Sequence, residues 1–299
     1  MASDPPSSLT AYHGARRIET SRGADATCYT TTLTLPANQV QRFEYGGATL
    51  IDEVLEGPTS RHLVLMHGWG ASRESLRAIG ALFQTTHRVH LLDLPGFGDA
   101  PAPASDWDTA RYADLVEQLL VARVDGPVVL IGHSFGGRVA LRVAARRPAQ
   151  LRGLVLMGVP GLPAPAWSRV RVRRSAIRGL RRVLTSVGPL TGPAPLAWHT
   201  ARYGSRDYLA AGPLRPILVR AVNEDLTESA RATTCPVLLL WGSDDTETPP
   251  AIAYRYQRLM DGRASVRILP HKDHHLYTGT GAHLGAFMIR RWLPDHVES

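Results

Sequence analysis

A lone serine among glycines is the first feature of this sequence that could do chemistry. It lies in Gly132-His133-Ser134-Phe135-Gly136, which has the spacing G-x-S-x-G, with a further glycine at 137. The apolar run "VVLI" leads into it, and the helix-like pattern "GGRVALRVAARR" follows at once. A serine at a sharp strand-to-helix corner is lifted clear of the sheet, at the positive end of the next helix. Glycines let two backbones approach closely there. The Phe135 N–H then points to where an oxyanion would form. A passive serine in a glycine-rich turn has the same letters, but the strand before and helix after it favour a nucleophile. A serine hydroxyl needs a base and a group to orient that base, so the rest of the chain must supply both.

The elements that would position Ser134 are legible as patterns. "HLVLMHG", "HRVHLLDLPG", "PVVLIGHS", "LRGLVLMG" and "PVLLLWG" are short apolar runs ending in glycine or a turn, as buried parallel strands are. Helical stretches separate most of them, which predicts a doubly wound α/β sheet with functional groups at the carboxyl ends of its strands. "CYTTTLTL" and "ATLIDEVLEG" alternate apolar with polar and predict exposed antiparallel strands. The alternation breaks at the Pro/Gly-rich "VPGLPAPAW" and resumes at Cys235. The expected organisation is a flexible leader over 1–25, a core over 26–158 and 235–299, and a helical cap inserted over 159–234.

Four motifs in order make the chain resemble the α/β-hydrolase superfamily in its lid-bearing, esterase-like form. Around the elbow at Ser134 they are His67-Gly68-Trp69-Gly70, the "DLPGFGDAP" segment from Asp93, "GSDDTETP" from Gly242 and "LPHKDHHLYTG" from Leu269. The resemblance covers roughly 40–158 and 235–293. It implies a second oxyanion donor at the Trp69 N–H, beside that of Phe135. It implies Asp245 as the triad acid, with Asp244 as the competing choice, and His274 as the base, with His275 as the competitor and His271 too close to the strand end. Asp273 stands where a glycine usually precedes that histidine. Asp93 is expected to cap a turn. The order Ser, Asp, His is the one this fold uses.

Substrate is less legible. Possible pocket residues are His67, Trp69, Phe135, Trp167, Trp198 and Tyr277, and a mainly apolar pocket would favour a hydrophobic acyl or alcohol group. Glu224 and Asp225 are expected to cap or hinge a second lid element. "WSRVRVRRSAIRGLRR" is read as a solvated arginine-rich helix face. The expected function is hydrolysis of a small or medium carboxylic ester through an acyl-enzyme. C–C bond hydrolysis, thioester hydrolysis and lactone opening lie open to the same triad. A ligand-binding or signalling protein on this scaffold is the alternative of a different class.

The bulk properties fit a soluble enzyme. The 299 residues are 44% apolar and 20% charged, with net charge +8. Lys272 is the only lysine among 34 Lys and Arg, a skew that reads as base composition. No nucleic-acid motif accompanies the charge, so no nucleic-acid partner is expected. "GTGAHLG" follows no strand and is discarded as a nucleotide fingerprint. No apolar run reaches membrane-helix length, and the N-terminus lacks the layout of a secretory signal. A cytoplasmic protein is expected, with Cys28 and Cys235 as reduced thiols. No cofactor is implied. His271, His274 and His275 have no further ligand group to make a metal site, and oligomeric state is left open.

Overall fold

The structure is a computed structural model and describes residues 39–103, 107–163, 179–180, 182–186 and 206–297. Its elements run β1 (Gln39–Tyr45), β2 (Ala48–Leu55), β3 (His62–Met66), α1 (Glu74–Ala81), β4 (Arg88–Asp93), α2 (Thr109–Arg123), β5 (Val128–His133), α3 (Ser134–Arg146) and β6 (Leu151–Met157). After them come α4 (Arg206–Ala210), α5 (Arg215–Asn223), α6 (Thr227–Ala232), β7 (Val237–Gly242), α7 (Ala251–Leu259), β8 (Ala264–Leu269) and α8 (Thr280–His296). The strands form one eight-stranded sheet in the order β1-β2-β4-β3-β5-β6-β7-β8. β2 pairs antiparallel with β1 and β4, and all later neighbours are parallel.

Parallel strands need crossovers, and the crossover helices cover both faces. Successive strand residues therefore serve opposite cores. Leu130 joins the cluster that holds Tyr112, Val139 and Tyr256, on the side of α2, α3 and α7. Ile131 joins the cluster of Leu76, Ile289 and Trp292, on the side of α1 and α8. This double burial is why β3, β5 and β7 read as unbroken apolar runs.

The alternating "ATLIDEVLEG" is a correction. It forms β2, which is antiparallel as expected but buried at every position. Its polar members do not face water; they are neutralised inside. Asp52 meets His90 Nδ1 at 3.0 Å and Arg123 Nη1 at 3.2 Å. Glu53 accepts from Arg77 Nη1 at 2.8 Å and Arg73 Nε at 3.1 Å. The Arg77 hydrogen bonds hold the Glu53 carboxyl below its usual range against the opposing effect of burial. The exposed edge is β1 instead, and "CYTTTLTL" lies outside the described residues, as does the expected leader.

Asp93 ends β4 as a fully buried carboxylate. It accepts from the Arg73 N–H at 2.6 Å and the Asp99 N–H at 3.0 Å, and pairs with the Arg73 guanidinium. Gly98 is required beside it: its φ is +55°, and a Cβ there would overlap the Asp93 carboxylate. Asp93→Ala leaves Arg73, 12% exposed, without its most buried partner. The expected cost is roughly 3 kcal/mol, read as a lower urea midpoint at unchanged m.

Candidate active site

No residue separates β5 from α3. The chain turns at Ser134 itself, with φ +47°, in the left-handed region that a residue with a Cβ adopts only under constraint. Glycines supply the constraint. A Cβ on Gly132 would lie 2.5 Å from Gly137 Cα. One on Gly136 would overlap the Met66 carbonyl oxygen and lie 2.6 Å from that of His67. The Gly136 N–H donates to His67 O at 2.9 Å. The corner is thus tied to the end of β3, where the His67-Gly68-Trp69-Gly70 turn begins. Among the described residues neither the Trp69 N–H nor the Phe135 N–H donates a hydrogen bond. Phe135 lies in the first turn of α3, where helix N–H groups have no internal partner.

The acid comes from the turn after β7. Asp245 is buried, its Oδ1 accepts from the Thr248 N–H at 2.7 Å, and its Oδ2 lies 2.8 Å from His274 Nδ1. Trp241 Nε1–H donates to Thr248 O at 2.9 Å and fixes the same turn. Asp244 is exposed and accepts from Ser243 Oγ at 2.7 Å. His275 and His271 are also exposed. The geometry therefore joins Asp245 to His274 and leaves Asp244, His275 and His271 aside. Gly158, φ +57°, lets the pair pass over the end of β6: a Cβ there would lie 3.2 Å from His274 Nδ1 and 3.3 Å from Asp245 Oδ2. Burial disfavours the charged imidazole, but the hydrogen bond and charge of Asp245 outweigh it and raise the His274 pKa.

His133 is a residue that the sequence reasoning did not single out. Its Nε2 donates to His274 O at 2.9 Å and so pins the loop that carries the candidate base. Its Nδ1 is buried with no partner. Burial pushes its pKa down to about 3, so it is a neutral strut. Only its place inside the elbow motif hinted at it.

Ser134 and His274 line one cavity of about 500 Å³. No hydrogen bond joins Ser134 Oγ to His274 Nε2, which faces Glu247 Oε2 at 4.0 Å. Such contacts often close only with substrate bound. Trp69 and Phe135 also line the cavity, with Leu162, Leu218 and Ile252 as apolar wall and Arg138, Glu224 and Glu247 as charged groups. The lining is mixed, not mainly apolar. Two expected pocket residues are elsewhere. His67 is fully buried, with Nδ1 donating to Gly68 O at 2.7 Å and Nε2 accepting from the Leu94 N–H at 3.1 Å. It braces the ends of β3 and β4. Tyr277 packs against the His133 ring at 4.7 Å. Trp167 and Trp198 lie outside the described residues, as do Cys28 and most of the arginine-rich stretch. Cys235 is a free, half-buried thiol whose pKa burial pushes up to about 11. Among the described residues no three His, Cys, Asp or Glu are placed to share a metal, and no helix is long and apolar enough to cross a membrane.

Comparisons with known proteins bear on the family and the fold. A family model described as the alpha/beta hydrolase family matches residues 63–281. The chain is 30% identical over 229 residues to a pimeloyl-[acyl-carrier protein] methyl ester esterase of Neisseria meningitidis, covering 69% of this chain and 83% of that protein. It is 26% identical over 250 residues to the 2-hydroxy-6-oxo-6-(2'-aminophenyl)hexa-2,4-dienoic acid hydrolase of Metapseudomonas resinovorans, covering 79% and 84%. Among solved structures, a thermophilic esterase from Thermogutta terrifontis superposes with a TM-score of 0.62 at 23% identity, covering 86% of this chain and 98% of that one.

Proposed function

Because the chain belongs to the alpha/beta hydrolase family, we propose that it hydrolyses a carboxylic ester, with Ser134 as nucleophile, His274 as base and Asp245 as the acid that orients it. The observation that carries this reading is the 2.8 Å Asp245–His274 contact in a cavity shared with a serine held at φ +47°. His274 Nδ1–H donates to Asp245, which leaves Nε2 free to take the Ser134 proton. Ser134 Oγ bonds to the ester carbonyl carbon, and the Trp69 and Phe135 N–H groups receive the oxyanion. The alkoxide leaves with the proton from His274. Water, activated by the same imidazole, then releases the acid and restores Ser134. Residues 159–234 act as a cap in this reading, since Leu218 and Glu224 bring its later part to the cavity wall.

Turnover of p-nitrophenyl esters from C2 to C12 tests the reading, and hydrolysis of none by folded protein would overturn it. The pH profile adds a sharper check. Only neutral His274 can take the proton, and its pKa is raised above the ordinary 6.5. The acid limb of kcat/KM is therefore expected above pH 6.5. Glu247 also raises this pKa, so Glu247→Gln moves the limb to lower pH, and only slightly because the carboxylate is 59% exposed and screened. The stability linkage has the opposite sense. The His274–Asp245 pair stabilises fully below pH 6.5, and that stability is lost as pH rises through the raised pKa.

A further inference from the structure

Arg138 lies one helical turn after Ser134 on α3, so the two side chains leave the same face. Its side chain is only 7% exposed, yet it lines the cavity that holds Ser134 and His274. A buried guanidinium ordinarily fills its donors, because each unmet N–H costs desolvation. Arg138 does not. Among the described residues its only polar contact runs from Nη1 to Glu224 Oε2 at 3.5 Å, the outer limit of a hydrogen bond. Its Nε and Nη2 donate to nothing among the described residues. Among the described residues the unpartnered side-chain atoms sealed from solvent are His133 Nδ1, Arg263 Nε and Trp292 Nε1, so those of Arg138 are open.

Glu224 cannot satisfy it alone. Its Oε1 accepts from Arg142 Nη2 at 2.7 Å, from Arg142 Nε at 3.1 Å and from Thr109 Oγ1. Two guanidiniums and one carboxylate leave one positive charge over. Burial disfavours the Arg138 cation, and Glu224 only partly offsets that. A guanidinium does not shed its proton in a protein; water can meet its open N–H groups, but only an incoming anion would also balance its charge. Its planar fork matches a carboxylate with two parallel N–H···O bonds. The other acidic residues of the cavity, Asp207, Asp225 and Glu247, are exposed at its rim. Water screens them, whereas the Arg138 charge acts at low dielectric.

We propose that Arg138 determines specificity by binding a carboxylate on the acyl part of the substrate, so that the preferred esters are half-esters of dicarboxylic acids. Which end of the ester faces Arg138 rests on the reading of Ser134 as nucleophile; the carboxylate site does not.

Calorimetric binding to the Ser134→Ala protein tests it without turnover, using monomethyl glutarate against methyl pentanoate, its uncharged counterpart. The half-ester should bind at least tenfold tighter. Arg138→Gln on that background should equalise the two, and Arg138→Lys should restore part of the preference. A purely structural role for Arg138 would not move this ratio. Should Arg138→Gln fold poorly, Arg138→Met removes the same charge, leaves the Glu224–Arg142 pair intact and gives the same readout. Equal affinities with Arg138 present, or a preference that survives its removal, overturn the proposal. Wild-type turnover of p-nitrophenyl butyrate separates the two readings. Turnover without the preference removes only the carboxylate site, and the preference without turnover removes only the esterase.

Discussion

Replacing Ser134 with Ala is expected to lower kcat on the best p-nitrophenyl ester by about 10⁵–10⁶, with His274→Ala falling equally far. The double variant should be no slower than either single one. Nucleophile and base act as one unit, so removing either removes the whole proton-transfer route. A factor of 10⁵ corresponds to about 7 kcal/mol of barrier. What survives would come from the Trp69 and Phe135 N–H groups and from binding alone. The loss should not trace to unfolding. Ser134 Oγ makes no hydrogen bond among the described residues, so deleting it strands no partner, and the melting temperature should stay within a degree or two. His274→Ala differs here, because it leaves the buried Asp245 Oδ2 without its partner at 2.8 Å and should melt lower. Variants that keep turnover would remove both residues from the mechanism.

Legibility in the sequence followed the range of the interactions. The corner at Ser134 is local, since Gly132, Gly136 and Gly137 are read within five residues of it. The turn around Asp245 is also local: Thr248 N–H closes on Oδ1 three residues on, and spacing therefore separates Asp245 from Asp244. The parallel strands were readable because burial on both faces writes continuous apolar runs. Contacts across long separations left no such trace. His133 holds a carbonyl 141 residues away, and Arg138 meets Glu224 86 residues away. β2 misled for a related reason. An alternating strand normally turns its polar face to water, but Asp52 and Glu53 find hydrogen-bond partners on β4 and counter-charges on α1, α2 and the loop before α1. His67 misled because a motif records proximity to a site without recording which way the ring turns.

Gly136→Ala is expected to lower kcat by about 10²–10³ while Ser134, His274 and Asp245 all remain. The added methyl would enter the Met66 carbonyl oxygen and crowd that of His67. Both belong to backbone at the end of β3, which is held in the middle of the sheet by β4 and β5 and has no rotamer by which to retreat. α3 must therefore shift away from β3, stretching the 2.9 Å bond from the Gly136 N–H to His67 O. That bond sets the spacing between the two candidate oxyanion donors, because Phe135 N–H moves with α3 and Trp69 N–H stays with the β3 turn. A misplaced donor costs about as much as a missing one, roughly 3–4 kcal/mol of transition-state stabilisation. KM should change far less, since the ground-state carbonyl makes the weaker contact. Overpacking should add about 1–3 kcal/mol of destabilisation. Gly179→Ala is the matched control, as among the described residues nothing lies within 4 Å of its Cβ position and an unstrained helical glycine gains stability from the change. A Gly136→Ala enzyme with unchanged kcat would mean that Phe135 N–H and Trp69 N–H do not act together on the oxyanion.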